Sequence, residues 1–375
     1  MEFIKGMDLS TLLELERCGA TYYDNGEEMD ILDIMKRYDV DTIRLRVWND
    51  PWSESGESYG AGENDVPTTL AIAKRVTEAG FGVLLNFHYS DFWADPGKQF
   101  KPKAWASFGV EELEEAVYDF TLETMEKFLA ENVNITMVQV GNELSNGLLW
   151  PEGKVPNYDN IAKFVNAGIR AVRKANAEIP VMIHLDNGGN NALYREWFDN
   201  FTARGEDFEY IGLSYYPFWH GSLENLSQVL SDIAETYNKK VMVAETSYAF
   251  TSEDSDYYGN TIGDGSGIVK DYPFTQQGQA NLVRNVIDTV ANKTANGIGV
   301  FYWEGTWIAA GGDSWEQNSA LWEKYGSGWA SSYAAEYDPD DAGKWYGGSA
   351  VDNQAFFDAS GHPLESLKVF RLMRT

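Results

Sequence analysis

The chain has 375 residues and a formal charge of 29 − 58 = −29, with 43% hydrophobic and 14% aromatic residues. So acidic a surface excludes nucleic acid as a partner, since phosphates need a basic footprint, and disfavours an acidic polysaccharide while favouring a neutral ligand. Cys18 is the only cysteine, so an intrachain disulfide and a thiolate zinc site are both excluded.

Short β-branched and aromatic runs alternate with segments of helical period along the chain. The predicted strands are Phe3–Asp8, Thr42–Trp48, Gly82–His88, Ile135–Glu143, Val181–Asp186, Tyr210–Tyr216, Lys240–Thr246 and Gly297–Glu304. The predicted helices are Glu27–Arg37, Thr68–Ala79, Glu111–Leu129, Ile161–Asn176, Ala192–Phe201, Leu223–Tyr237, Gln279–Asn292 and Leu364–Met373. Strict βα alternation over eight strands predicts an α/β fold, a (β/α)8 TIM barrel formed by one catalytic domain over residues 1–375. A doubly wound open sheet would carry a Gly-rich turn after its first strand, and Ser10-Thr11-Leu12-Leu13 has none. Two connections, Ala249–Pro273 and Gly305–Asn353, are long, rich in Gly, Asp, Ser, Trp and Tyr, and without clear helical period. They follow strands 7 and 8, which places them on the face where barrels do chemistry. The start, MEFIKGMDLS, shows no signal peptide, and no apolar run is long enough to span a membrane.

Strand 4 runs into Asn142-Glu143 and strand 7 ends on Glu245. Because side chains alternate along a strand, Gln139, Gly141 and Glu143 share one face, and Val241, Val243 and Glu245 another. Both glutamates then reach the barrel mouth, where a carboxyl pair at the retaining spacing of about 5–5.5 Å is the machinery of glycoside hydrolysis. One glutamate at a strand end is most simply a surface or salt-bridged residue; the pair carries the case. Arg46 is the expected cation beside Glu245, keeping it ionised, and Arg44 the alternative, as an ion pair inside the barrel. His88 and Asp91 close strand 3, Asn142 can bond a sugar 2-hydroxyl, and Tyr215 or Tyr216 can contact the nucleophile. Trp303 offers a flat face to a sugar ring, and Trp93, Trp150, Trp219, Trp307 and Trp315 lie in loops after strands. The run SEDSDYYGN spaces Asp254, Asp256 and Asn260 around a glycine, an oxygen-rich pattern compatible with calcium and equally with a solvated acidic loop.

The blocks FIKGMDLS, DTIRLRVWNDP, NFHYSDFWADPGKQFKPKAW, VQVGNELSNGLLWPEG, VMVAETSYAFT and GVFYWEGTWI together resemble the endo-β-1,4-galactanases of glycoside hydrolase family 53, over nearly the whole chain. The resemblance implies a (β/α)8 barrel that cleaves β-1,4-galactan, the side chain of type I arabinogalactan in pectin, with retention. It implies Glu143 as acid/base and Glu245 as nucleophile. It also implies a structural calcium between the loops after strands 7 and 8, at Asp256, Tyr258, Asn260, Ser349 and Asp352, with Tyr258 offering at most a backbone carbonyl. A secreted monomer, its leader absent from these residues, is the implied state. Two alternatives stay open at this point: a barrel hydrolase of another neutral β-1,4-glycan (mannan, xylan or cellulose), and a non-catalytic glycan-binding protein.

Overall fold

The computed structural model describes residues 2–263, 271–312 and 314–373. Residues 264–270 of the expected Ala249–Pro273 loop, and 313 of Gly305–Asn353, lie outside the described residues.

Eight strands close into a barrel in which each pairs in parallel with its sequence neighbours, and the last with the first. They are β1 Ile4–Asp8, β2 Thr42–Val47, β3 Gly82–Phe87, β4 Ile135–Val140, β5 Val181–Leu185, β6 Tyr210–Ser214, β7 Lys240–Thr246 and β8 Gly297–Tyr302. The (β/α)8 expectation is borne out. Their near-continuous apolar runs suit strands covered on both faces.

The two faces do different work. Outward residues such as Val138 and Val140 of β4 pack under the surrounding helices. Inward ones, among them Leu84, Met137, Met182, Met242 and Phe301, fill the lower barrel. The filling is tight enough that a Cβ on Gly6 would lie 2.1 Å from the Phe301 ring, so only glycine fits there. One step of alternation above this plug, the inward positions turn polar: Arg44 on β2, Asn86 on β3, Gln139 on β4, His184 on β5 and Ser214 on β6 are all buried. The apolar plug therefore forms the floor of a polar mouth.

Caps decide where helices begin. The helix expected over Glu27–Arg37 starts only at Ile31, because Asp30 caps it by accepting from the Leu32 N–H at 2.8 Å. The residues before it make a hairpin, Tyr23–Asp24 against Glu27–Glu28, turning on Asn25-Gly26 with positive φ at both. The next helix, Val66–Glu78, begins earlier than expected, with Asp65 as cap and Pro67 in its first turn. Inside the connection expected to lack helical period, Trp315–Tyr325 is helical, capped by Ser314. Only Asn318 and Trp322 of that helix are buried, so no apolar stripe marked it in the sequence. The segment Leu364–Met373 is a 3₁₀ turn followed by one α-helical turn, Val369–Leu372.

Candidate active site

The mouth of the barrel holds a cavity of ≈ 170 Å³ lined by Glu143, Glu245, Arg44, Arg46, Asn86, His88, Trp93, Asn142, Tyr216, Trp303, Trp329 and neighbouring residues. Both sequence-predicted glutamates therefore face one space.

They reach it by different backbone devices. Beyond β4 the chain leaves the extended region, with Gly141 at φ 79° and Glu143 at φ 49°. A left-handed glutamate is uncommon, and such conformations gather where side chains are aimed at ligands. On β7 simple alternation fails. Val241 and Val243 belong to the outer core, while Met242 and Ala244 face inward. Glu245 nevertheless lines the cavity, because the pairing with β6 slips from Leu213↔Val243 to Ser214↔Glu245 and inserts one extra residue. This β-bulge re-aims Glu245, and the expectation that it shares a face with Val241 and Val243 is corrected.

The electrostatic settings of the two carboxyls differ. Burial, then the charges of Glu245 and Asp186, hold the Glu143 carboxyl well above the ordinary carboxylate range. Ser214 Oγ donates to Glu143 Oε1 at 2.6 Å. Glu245 Oε1 lies 2.7 Å from Arg44 Nη2, and Oε2 accepts from the Tyr216 hydroxyl at 3.0 Å. One carboxyl is thus set to hold a proton, and the other sits on a buried cation and a phenol.

Arg44, not Arg46, is the cation on Glu245. Arg46 Nη1 is bound instead to Glu304 at 2.5 Å, its Nη2 donates to the Ala61 carbonyl, and its guanidinium lies over Trp93 at 4.5 Å. Arg46 lies nearer the strand end in register, but the loops after β2 and β8 tie it to the wall. Tyr216 contacts the nucleophile, whereas Tyr215 is buried with its hydroxyl donating to the Gly221 carbonyl. Asn142 donates to the Ala94 carbonyl at 2.9 Å, and its Oδ1 accepts from Arg44 at 3.0 Å. His88 accepts from Trp48 Nε1 at 3.1 Å and is held far below its ordinary pKa by burial, then by Arg44 and Arg46, so it is neutral.

Two expected substrate contacts move elsewhere. Asp91 accepts from the Lys103 backbone N–H at 2.6 Å and pins the turn at Lys103–Trp105, outside the cavity lining. Trp307 is fully buried, donating to the Ser327 carbonyl beneath Trp329. Its place on the wall belongs to Trp329, which stacks on Trp93 at 4.7 Å with Trp303 alongside. Of the other loop tryptophans, Trp219 and Trp315 are exposed and Trp150 is half-buried beside Lys154. Sequence reasoning also passed over His184 and Ser214. Alternation from Met182 marks His184 as inward, and Ser214 lies just before the tyrosines singled out.

Loops lock the mouth together. Gln99 donates to the Asn142 carbonyl at 2.7 Å, and its neighbour Lys98 is paired with Asp338 and Asp341, each at 2.5 Å. The loop after β3 thereby holds both the backbone before Glu143 and the loop after β8.

Some distance along the loops after β7 and β8, Asp254, Asp256 and Asp352 converge with carboxylate oxygens within 4.8 Å of one another. Oδ1 of Asp352 and Oδ1 of Asn260 are buried and receive no hydrogen bond. Burial, then the charge of Asp352, pushes the Asp256 carboxyl up to about 7. The Ser349 N–H donates to Asp256 at 2.5 Å, and the Tyr258 hydroxyl turns away to the Trp345 carbonyl. Crowded carboxylates and orphaned oxygens fit a hard, oxygen-loving cation.

A family profile described as Glycosyl hydrolase family 53 matches residues 4–370. The chain is 50% identical over 372 residues to the endo-beta-1,4-galactanase of Bacillus subtilis, covering 99% of this chain and 86% of that one. It is 36% identical over 346 residues to arabinogalactan endo-beta-1,4-galactanase A of Aspergillus niger, covering 90% and 91%. The Ignisphaera aggregans GH53 catalytic domain superposes with a TM-score of 0.88 at 39% identity, covering 100% of this chain and 97% of that one.

Proposed function

The chain belongs to glycosyl hydrolase family 53, and we propose that it is a retaining endo-β-1,4-galactanase acting on galactan and type I arabinogalactan. The observation that carries the mechanism is the opposed setting of two carboxyls in one cavity: Glu143 driven towards its protonated form, Glu245 paired with Arg44. Glu245 attacks the anomeric carbon while Glu143 gives its proton to the departing glycosidic oxygen; Glu143 then takes a proton from water, which attacks the glycosyl-enzyme. The net result of two inversions is retention. Trp303, Trp329 and Trp93 supply the apolar face for a sugar ring, and Asn142, Asn86 and Tyr216 the polar edge. An uncharged galactose polymer matches a chain of net charge −29. Among the described residues no helix is long and apolar enough to cross a membrane. The reading is of a secreted monomer.

The test is reducing-sugar release from purified potato galactan, xylan, mannan and carboxymethylcellulose, with products sized. Rapid release of short galacto-oligosaccharides from galactan alone is the expected result. Faster turnover of another polymer would move the chain's specificity to that glycan.

Calcium is proposed as a structural ion held by Asp254, Asp256, Asn260 and Asp352, with Ser349 and the Tyr258 backbone flanking them. Bound there, it would offset the charge of the carboxylate cluster and link the loops after β7 and β8, which carry those residues. At free calcium about a hundredfold above its Kd the gain is about 2.7 kcal/mol, a few degrees in Tm for a chain this size. Chelation should remove that increment in scanning calorimetry, and Asp352→Ala should make the melt insensitive to calcium. A wild-type melt unchanged by calcium and chelator would exclude the ion.

A further inference from the structure

We propose that Ser214, itself held by His184, is a positioning residue that fixes which oxygen of Glu143 carries the catalytic proton. The inference rests on Glu143 being the acid/base and goes one atom further.

A buried chain of hydrogen bonds of fixed polarity leads to Glu143. Arg44 Nε donates to Gln139 Oε1 at 3.2 Å, which turns the Gln139 amide nitrogen, with its two protons, towards the Gly141 carbonyl at 2.9 Å and His184 Nδ1 at 3.0 Å. The Glu143 backbone N–H also points at Nδ1, at 3.4 Å, and a backbone N–H can only donate. Asn142 Oδ1 lies 3.2 Å from Nδ1 but has both lone pairs taken, by Arg44 at 3.0 Å and by Asn86 Nδ2 at 3.2 Å. Nδ1 is therefore the acceptor nitrogen. Buried beside Arg44 and His88, the ring is neutral, so its single proton is on Nε2. Nε2 faces Ser214 Oγ at 2.9 Å and donates to it. The serine hydroxyl is left to donate onward, and it does so to Glu143 Oε1 at 2.6 Å.

Every donor in this chain points the same way, from Arg44 through Gln139, His184 and Ser214 to Glu143. Oε1 is consequently an acceptor in both protonation states, and the proton falls to Oε2. That is the atom that protonates the glycosidic oxygen and later receives a proton from water. Ser214 and His184 are both buried, so solvent does not scramble the order. The serine bond is also stronger to a carboxylate than to a carboxylic acid. It therefore opposes the upward push from burial and from Glu245, and keeps the acid strong enough to give its proton away.

The test compares wild type, Ser214→Ala, Ser214→Thr and Glu143→Gln on galactan and on an aryl β-galactobioside with a dinitrophenolate leaving group, which needs no protonation. Ser214→Ala is expected to lower kcat/KM on galactan about tenfold and on the aryl substrate by less than about twofold. The alkaline limb of its galactan pH profile should move up by roughly half a pH unit or more, because the bond favouring ionised Glu143 is gone. Ser214→Thr, which keeps the hydroxyl, should restore both readouts. Equal losses on the two substrates, or an unmoved alkaline limb, would overturn the proposal. Glu143→Gln separates this from the reading beneath it: full galactan activity there removes Glu143 as the acid, whatever Ser214→Ala does.

Discussion

Glu143→Gln and Glu245→Gln should each lower galactan turnover on the order of a thousandfold or more, as loss of a covalent nucleophile or of its proton donor does. The two variants are expected to part company on an aryl galactoside with a good leaving group. Glu245→Gln has no nucleophile and stays inactive. Glu143→Gln still forms the glycosyl-enzyme, because the leaving group needs no proton, and then stalls when water must be activated. A burst of phenolate followed by slow turnover is the signature to look for in stopped flow.

Stability should separate them as well. The Glu143 carboxyl is raised in the folded protein, so the folded state keeps its proton over a range where the unfolded chain has lost it. Such a group costs stability as pH climbs past the ordinary glutamate range, and the loss levels off only above the raised folded value. Glutamine has no proton to lose, so Glu143→Gln should melt at or above the wild-type temperature near neutral pH. Glu245→Gln instead strips buried Arg44 of a carboxylate at 2.7 Å and should melt lower. A Glu143→Gln protein that melted well below wild type would mean that its carboxyl is not strained.

The barrel itself was legible because each of its eight strands is an apolar run with a helix between it and the next, a pattern few folds share. The position of Glu143 was legible for the same reason: an apolar strand has little cause to stop on Asn-Glu unless the pair faces something. The position of Glu245 is legible in the sequence, but the face it takes is not. Strict alternation from Val243 does bring Glu245 to that residue's face, but that face is the outside of the barrel, and the bulge at Ala244 is what turns the glutamate in. A bulge is a property of two paired strands, invisible in either alone. The exchange of Arg44 for Arg46 has a related cause. Both are inward on β2, and which one meets Glu245 depends on the carbonyl of Ala61 and the carboxylate of Glu304, residues brought in by separate loops. Trp307 and Trp329 exchange places likewise, since depth within a loop has no periodic trace in the sequence.

Arg44→Met is expected to be among the most damaging substitutions in the barrel. Arg44 is fully buried and reaches Asp8 at 3.1 Å, Glu245 at 2.7 Å, Gln139 at 3.2 Å and Asn142 at 3.0 Å. Methionine of similar length satisfies none of them, leaving Glu245 without its cation and Asp8 with only Arg46 at 3.9 Å, at a cost of about 3–5 kcal/mol. Urea unfolding should show the midpoint shift without a large change in m. Arg44→Lys is the finer instrument, because a single ammonium cannot reach four acceptors set for a planar fork. With the fork gone, Glu245 is no longer held in place for attack, and kcat on galactan should fall on the order of a hundredfold, as loss of positioning does. Arg46→Lys disturbs Glu304 and the tryptophan wall but leaves the Arg44–Glu245 contact in place, so its cost should fall on KM more than on kcat. If kcat instead collapsed in Arg46→Lys and held in Arg44→Lys, the cation acting on the nucleophile would be Arg46, and the roles of the two arginines would be exchanged.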